Sequence, residues 1–352
     1  MQRILLAVSG GIDSMYLANR APEFFPGARF AVAHCNFALR GAESDGDEAF
    51  VRDWCAAHGL ECFVRRFDTA GYAAEHGVSI EMAARELRYA WFAELCRDGG
   101  FEAVAVAHNA DDNAETLVLN LLRGTGTRGL RGMGDRDGIV RPLLGTTRAE
   151  IRDWMNAHGC AWRDDSTNAD STPKRNRIRN EVFPVFAKIN PSFIRTLGDD
   201  MERFARVDDI AEAWFRSVRD GLTTEDGAVR IPAVLALEHW EYALWRLLEG
   251  AGLSGPTFGK LVALLRRYKD EPRGTVTIGG KTFEGNGTVL AIDRELIILQ
   301  EYRHHRQVPR SRTAPAHSAR ACRGLPSSSG SGGRVLRSPA GTARSAAPGG
   351  AA

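Results

Sequence analysis

An apolar run, Ile4-Leu5-Leu6-Ala7-Val8, passes directly into Ser9-Gly10-Gly11-Ile12-Asp13-Ser14, and this junction constrains the fold more than any other stretch of the 352-residue chain. A short buried strand that ends in Ser-Gly-Gly and opens a helix with Asp-Ser is built to hold an anion. Two glycines let the backbone turn tightly and approach a ligand where a Cβ would clash. Free N–H groups of the turn and of the next helix then point at that anion. No Lys-Ser or Lys-Thr follows, so this is not the loop whose lysine reaches the β- and γ-phosphates. An ordinary Gly-Gly turn explains the glycines taken alone; the rest of the chain weighs against it.

Strand signals recur at 3–8, 29–35, 61–66, 102–107 and 138–144, and helical spacing at 14–20, 44–58, 80–98, 111–123 and 147–158. The alternation predicts an α/β fold, a parallel sheet with helices on both faces. Ligands of such sheets bind at the carboxyl ends of the strands, where Ser9–Ser14, His34–Asn36 and His108–Asp112 would converge. Helical spacing returns in Phe193-Leu197-Met201-Phe204 and Trp240-Leu244-Leu247-Leu248, and 274–299 alternates in the manner of a β-meander. The expected organisation is therefore a catalytic domain over 1–188, a helical substrate-binding domain over 189–270, a short β segment over 271–302 and a low-complexity, disordered tail over 303–352.

The net charge of +2 conceals an asymmetry: the tail carries nine arginines and no acid, leaving 37 basic against 44 acidic residues before it. A polyanion must then be met by a local basic patch rather than by a global field. The six cysteines show no Cys-x-x-Cys spacing, which predicts neither a zinc site nor a disulfide framework and fits a cytoplasmic setting. No run approaches the ~18 apolar residues of a membrane span, and the first strand begins too close to Met1 to leave room for a signal peptide.

Three constellations carry chemistry. In His108-Asn109-Ala110-Asp111-Asp112-Asn113-Ala114-Glu115, Asp111 or Asp112 is expected to cap a helix, with Glu115 on the same face as Asp112. A capped, acidic first turn explains this by itself, but two carboxylates beside a phosphate loop also suit a cationic amine or a magnesium ion. Arg85 and Arg88 share a helical face; surface pairing with Glu81 or contact with phosphates both account for them. Lys174-Arg175-Asn176-Arg177-Ile178-Arg179-Asn180 is the sharpest basic cluster in the acidic body, following Asp164-Asp165-Ser166-Thr167-Asn168, and suits RNA contact. His34 reads as a hydrogen-bonded strand end, and Cys35 as packing.

These segments occur in order with Leu39-Arg40-Gly41, Glu43-Ser44-Asp45, Arg123-Gly124-Thr125-Gly126 and Arg141-Pro142-Leu143-Leu144, and the series closely resembles the tRNA(Ile)-lysidine synthetases, a branch of the PP-loop ATP pyrophosphatases. The resemblance is strong over 1–190 and looser over 190–300. It implies an adenine nucleotide alpha hydrolase-like fold and an ATP-dependent ligase. That ligase adenylates C2 of the wobble cytidine in the CAU anticodon of tRNA(Ile), and the ε-amine of free L-lysine then displaces AMP. By position, Ser9, Gly10, Gly11, Ile12, Asp13 and Ser14 would bind ATP, with Asp13 a partner for Mg²⁺. Asp112 and Glu115 would receive the lysine ammonium, and Arg85 or Arg88, together with Lys174, Arg175 or Arg179, would meet phosphate or tRNA. A second copy of the chain is kept as a candidate partner. In longer members a C-terminal domain helps clasp the tRNA; here the Arg- and Ala-rich tail takes its place, as an RNA-binding extension or as the product of a shifted reading frame.

Three other readings remain open at this stage. A PP-loop tRNA thiolase would need paired cysteines, which the spacing does not offer. A non-catalytic nucleotide- or RNA-binding remnant sits poorly with an intact phosphate loop and acidic pair. A ligase amidating a small acid would leave Arg175–Arg179 without a purpose.

Overall fold

The computed structural model describes residues 2–164, 174–271, 279–284, 288–293 and 295–301. The expectations for Asp165–Asn168 and for the tail over 303–352 lie outside the described residues. Strands β1 (Arg3–Ala7), β2 (Arg29–Asn36), β3 (Glu61–Arg66), β4 (Ala103–Ala105) and β5 (Ile139–Val140) form one parallel sheet in the order β3-β2-β1-β4-β5. The chain builds outward from β1 to β3, then crosses back to lay β4 on the other side of β1. That reversal opens a crevice between the carboxyl ends of β1 and β4, where open α/β sheets bind their ligands.

The helices over this half are α1 (Ile12–Phe24), α2 (Ala42–Ala57), α3 (Thr69–His76), α4 (Ile80–Gly99), α5 (Ala110–Arg123), α6 (Thr127–Leu130) and α7 (Arg148–Ala157). Side chains alternate along β1, so its two faces feed two cores. Ile4 and Leu6 pack with Met15 and Leu17 of α1, Val51 of α2, and Ile151 and Met155 of α7. Leu5 packs on the opposite face with Trp91 and Phe92 of α4 and with Val104. Strand β5 is shorter than the expected 138–144 because Pro142 lacks the N–H that would extend the ladder. The α3 helix escaped the sequence reading; it is short and starts where the Asp68 side chain accepts from Gly71 N at 2.9 Å.

The second half contains α8 (Lys174–Arg177), a π-helical turn over Ile178–Val182, α9 (Phe183–Ile189), α10 (Phe193–Val218), β6 (Val229–Arg230), α11 (Ile231–Leu235), α12 (Trp240–Leu248), α13 (Gly255–Asp270), β7 (Lys281–Glu284), β8 (Thr288–Asp293) and β9 (Leu296–Glu301). The expected meander recruits β6 to make an antiparallel sheet of order β6-β9-β8-β7. Leu244 and Leu248 of α12, Leu261 and Leu265 of α13, and Leu290 and Ile297 of the sheet share one core. No helix among the described residues is long and apolar enough to cross a membrane.

Helix α10 spans about 39 Å and joins the two halves. Phe193 and Leu197 near its start pack with Ala114 and Leu119 of α5, while Phe215 near its end belongs to the core of the second half. At its middle, buried Asp208 accepts from Thr127 Oγ1 at 2.9 Å and from Arg131 Nη1 at 3.0 Å. The segment after α5 is thereby clasped to α10. Asp208→Ala should lower the unfolding free energy by about 1–3 kcal/mol, measured by urea denaturation. A loss below about 0.5 kcal/mol would mean that the clasp contributes nothing to stability.

Candidate active site

Helix α1 begins with Gly11 as N-cap and no side chain capping it, so its first amides are left for another acceptor. Gly10 takes φ +97, a conformation that favours glycine, and its carbonyl accepts from Arg163 N at 3.0 Å. Ser14 Oγ lies 3.2 Å from both Ser9 N and Gly10 N and donates to Gly11 O at 2.8 Å. The amides that would cradle a phosphate are therefore gathered around a hydroxyl of the same loop. Ile12 turns its side chain into the core beside α1.

The loop borders a cavity of about 260 Å³ lined by Ser9, Asp13, Ser14, Cys35, Arg88 and His108, among others. The two arginines of α4 part company here. Arg88 reaches the cavity with its guanidinium 5.2 Å from the Phe37 ring centroid, whereas Arg85 lies over Tyr89 and lines a different cavity with Glu86 and Arg136. Burial pushes the Cys35 thiol up to about 12, so it is protonated at neutral pH and packs rather than attacks. His34 is buried, with Nδ1 2.9 Å from Val8 O. Burial likewise pushes His108 down to about 4, with Arg141, Arg175 and Arg88 acting in the same direction and Asp112 opposing them.

Helix α5 is capped by Asn109, and not by Asp111 or Asp112 as the sequence reading expected. Asn109 Oδ1 accepts from Asp112 N at 3.0 Å, and Asp112 Oδ2 accepts from Asn109 N at 3.2 Å, a reciprocal capping box. The small amide side chain wins because it serves two loops at once: Asn109 Nδ2 also donates to Asp13 Oδ1 at 3.0 Å. Asp111 instead accepts from Arg148 N at 2.8 Å.

Two guanidiniums then link three carboxylates. Arg148 Nη2 lies 3.3 Å from Asp13 and 3.5 Å from Asp112. Arg179 Nη2 lies 3.3 Å from Asp112, and its Nε donates to Glu115 Oε1 at 2.7 Å. Burial raises the pKa of Asp13 and of Glu115, opposed chiefly by Arg148 at the first and by Arg179 at the second. Glu115 is fully buried, and its Oε2 accepts no hydrogen bond among the described residues. Arg179 sits in the π-helical turn, an irregularity frequent at functional sites. Of the other cluster cations, Lys174 is exposed, Arg175 is half-buried and Arg177 pairs with Glu181 at 3.4 Å.

The first 186 residues match the PP-loop domain family. The tRNA(Ile)-lysidine synthase of Chlorobaculum tepidum is 43% identical over 263 residues, covering 71% of this chain and 78% of that protein. The chain belongs to the tRNA(Ile)-lysidine synthase family. The synthase of Bacteroides thetaiotaomicron is 37% identical over 305 residues, covering 86% of this chain and 68% of that protein. That of Porphyromonas gingivalis is 49% identical over 196 residues; the match covers 55% of this chain and only 43% of that protein's length.

Within this lysidine synthase fold, Arg148 is the site residue that the sequence reading missed. It occupies the first position of α7, behind a capping box of Thr147 and Glu150. A cation in a helix's first turn opposes the macrodipole, and that misplacement was the available signal. Among the described residues, no group of three or more His, Cys, Asp or Glu side chains is arranged to hold a metal ion.

The folded chain binds fewer protons at His108 than the unfolded chain between about pH 4 and the ordinary histidine value of 6.5. His108 therefore lowers stability as the pH falls through that window. His108→Asn should lose less stability than the unmodified protein between about pH 7 and pH 5, read from urea midpoints. An equal loss would count against a buried neutral imidazole.

Proposed function

We propose that this chain converts the wobble cytidine of tRNA(Ile) with a CAU anticodon into lysidine, consuming ATP and free L-lysine and releasing AMP and pyrophosphate. The observation that carries this reading is the coupling of the phosphate loop to an acidic pair through Asp13, Arg148, Asp112, Arg179 and Glu115. Three carboxylates against two guanidiniums leave this ladder one negative charge in excess, and Glu115 Oε2 is an acceptor with no donor among the described residues. A lysine ammonium supplies both the charge and the donor.

In this reading Ser9–Ser14 cradle the ATP phosphates, with Ser14 Oγ giving up the Ser9 and Gly10 amides to phosphate oxygens. Arg88 faces the same cavity and offsets the charge that builds as the cytidine oxygen attacks the α-phosphate. Asp13 is the partially buried carboxylate suited to a Mg²⁺ that arrives with ATP, since Mg²⁺ takes one or two carboxylates and completes its shell with substrate phosphates. Such an ion would further neutralise the leaving pyrophosphate. Lysine must lose a proton before its ε-amine attacks C2; Glu115 Oε2 anchors the ammonium, and Asp112, less enclosed than Glu115, is placed to accept that proton. Arg175, beside His108, and Lys174, on the surface, are left for the phosphates of the tRNA.

The reading is tested by mixing the protein with ATP, labelled lysine and unmodified tRNA carrying a CAU anticodon. Lysine should enter acid-precipitable RNA together with AMP and pyrophosphate release; ATP cleavage with a different nucleophile would overturn it. Asp13→Ala should abolish pyrophosphate release. Glu115→Gln should retain adenylation but lose about tenfold or more in lysine transfer, and equal losses in both steps would refute the assigned division of labour.

A further inference from the structure

Gly46 lies inside α2, where glycine disfavours the helix, and its φ is not among the left-handed ones that would call for it. The reason lies outside the helix. A Cβ at position 46 would stand 2.9 Å from Arg163 Nη2 and 3.3 Å from its Cζ, so the guanidinium rests directly on the bare Cα. There Arg163 Nε donates to Asp47 Oδ1, while Arg40 Nη2 holds Asp47 Oδ2 at 2.7 Å. The backbone of the same arginine donates to Gly10 O at 3.0 Å. In a trans peptide the carbonyl and the following N–H point in opposite directions. A Gly10 carbonyl held by Arg163 therefore turns the Gly11 N–H the other way, at the N-cap of α1, where it donates to Ser9 Oγ at 3.4 Å within the loop.

We propose that Arg163, seated on Gly46 and paired with Asp47, is a positioning residue for the phosphate loop, and that Gly46 is the adaptation that admits it. The inference rests on reading Ser9–Ser14 as the ATP phosphate site. The anchor acts from outside the cavity: the arginine side chain fixes its own backbone, and its backbone fixes the Gly10–Gly11 peptide. Adding a methyl group at position 46 pushes aside only the flexible end of Arg163, so the helix survives while the anchor is lost.

The test combines ATP binding by calorimetry with residue-resolved amide exchange on Gly46→Ala, Arg163→Ala and the double variant. Each single variant should weaken ATP binding about two- to tenfold, the range for loss of one net hydrogen bond. The double variant should be no weaker than Arg163→Ala alone, because Gly46→Ala acts through the guanidinium. Gly46→Ala should also speed exchange of the Arg163 amide while leaving Tm equal or higher, since alanine favours the helix; a merely structural glycine would not weaken ATP binding while sparing Tm. Unchanged affinity and exchange in Gly46→Ala, or penalties that add in the double variant, would overturn the inference. Failure of the unmodified protein to bind ATP would instead overturn the phosphate-loop reading, and exchange at Arg163 would still judge the anchor.

Discussion

Three carboxylates, Asp13, Asp112 and Glu115, meet at the carboxyl ends of β1 and β4, and their mutual repulsion is the constraint the site must solve. Desolvation and like charge both disfavour ionising them together. Arg148 and Arg179, inserted between them, let them share one crevice. Neither arginine comes from the sheet: one opens α7, and the other belongs to the π-helical turn leading into the second half. The site is thus complete only when three distant parts of the chain have folded onto β1.

Much of the first half was legible in the sequence because its signals are local. The short apolar run before Ser9, ended by two glycines, read as a buried strand, and the alternation after it read as a parallel sheet with helices on both faces. The tight turn after β1 was legible for the same reason, since Gly10 at φ +97 answers a demand of the adjoining backbone. What escaped were partnerships across long separations. Asn109 displaced the two aspartates as the cap because it also bonds Asp13, a contact no local pattern records. Arg88 and Arg85 stand three residues apart on one helix, and only the packing of α4 on the sheet separates the one that reaches the cavity from the one that does not. Arg148 stands out in sequence only as a cation in the first turn of a helix, and its partners Asp13 and Asp112 come from other elements.

The second half depends on the first through α10. Its early turns bury Phe193 and Leu197 against the cluster that holds Ala114 and Leu119, and its midpoint receives Thr127 and Arg131 on Asp208. Between these contacts the connection after α5 is pinned from several sides: Asn120 donates to Gly129 O at 2.8 Å and Met133 N to Asn113 Oδ1 at 2.6 Å. Helix α5 is fixed at its start by its capping box and at its end by this clasp. The backbone that carries Asp112 and Glu115 is therefore held at both ends, and Arg148 and Arg179 act on carboxylates already in place.

If Ser9–Ser14 hold the ATP phosphates as proposed, the hydroxyl of Ser14 has a consequence for how nucleotide binding varies with temperature. Because it already engages the Ser9 and Gly10 amides, the resting loop is ordered, and ligand entry exchanges one acceptor for a more strongly charged one. Little backbone freedom remains to be lost in that exchange. On the proposed reading, association at this loop would draw its temperature dependence from solvent released by the phosphates, and hardly at all from the freezing of the chain.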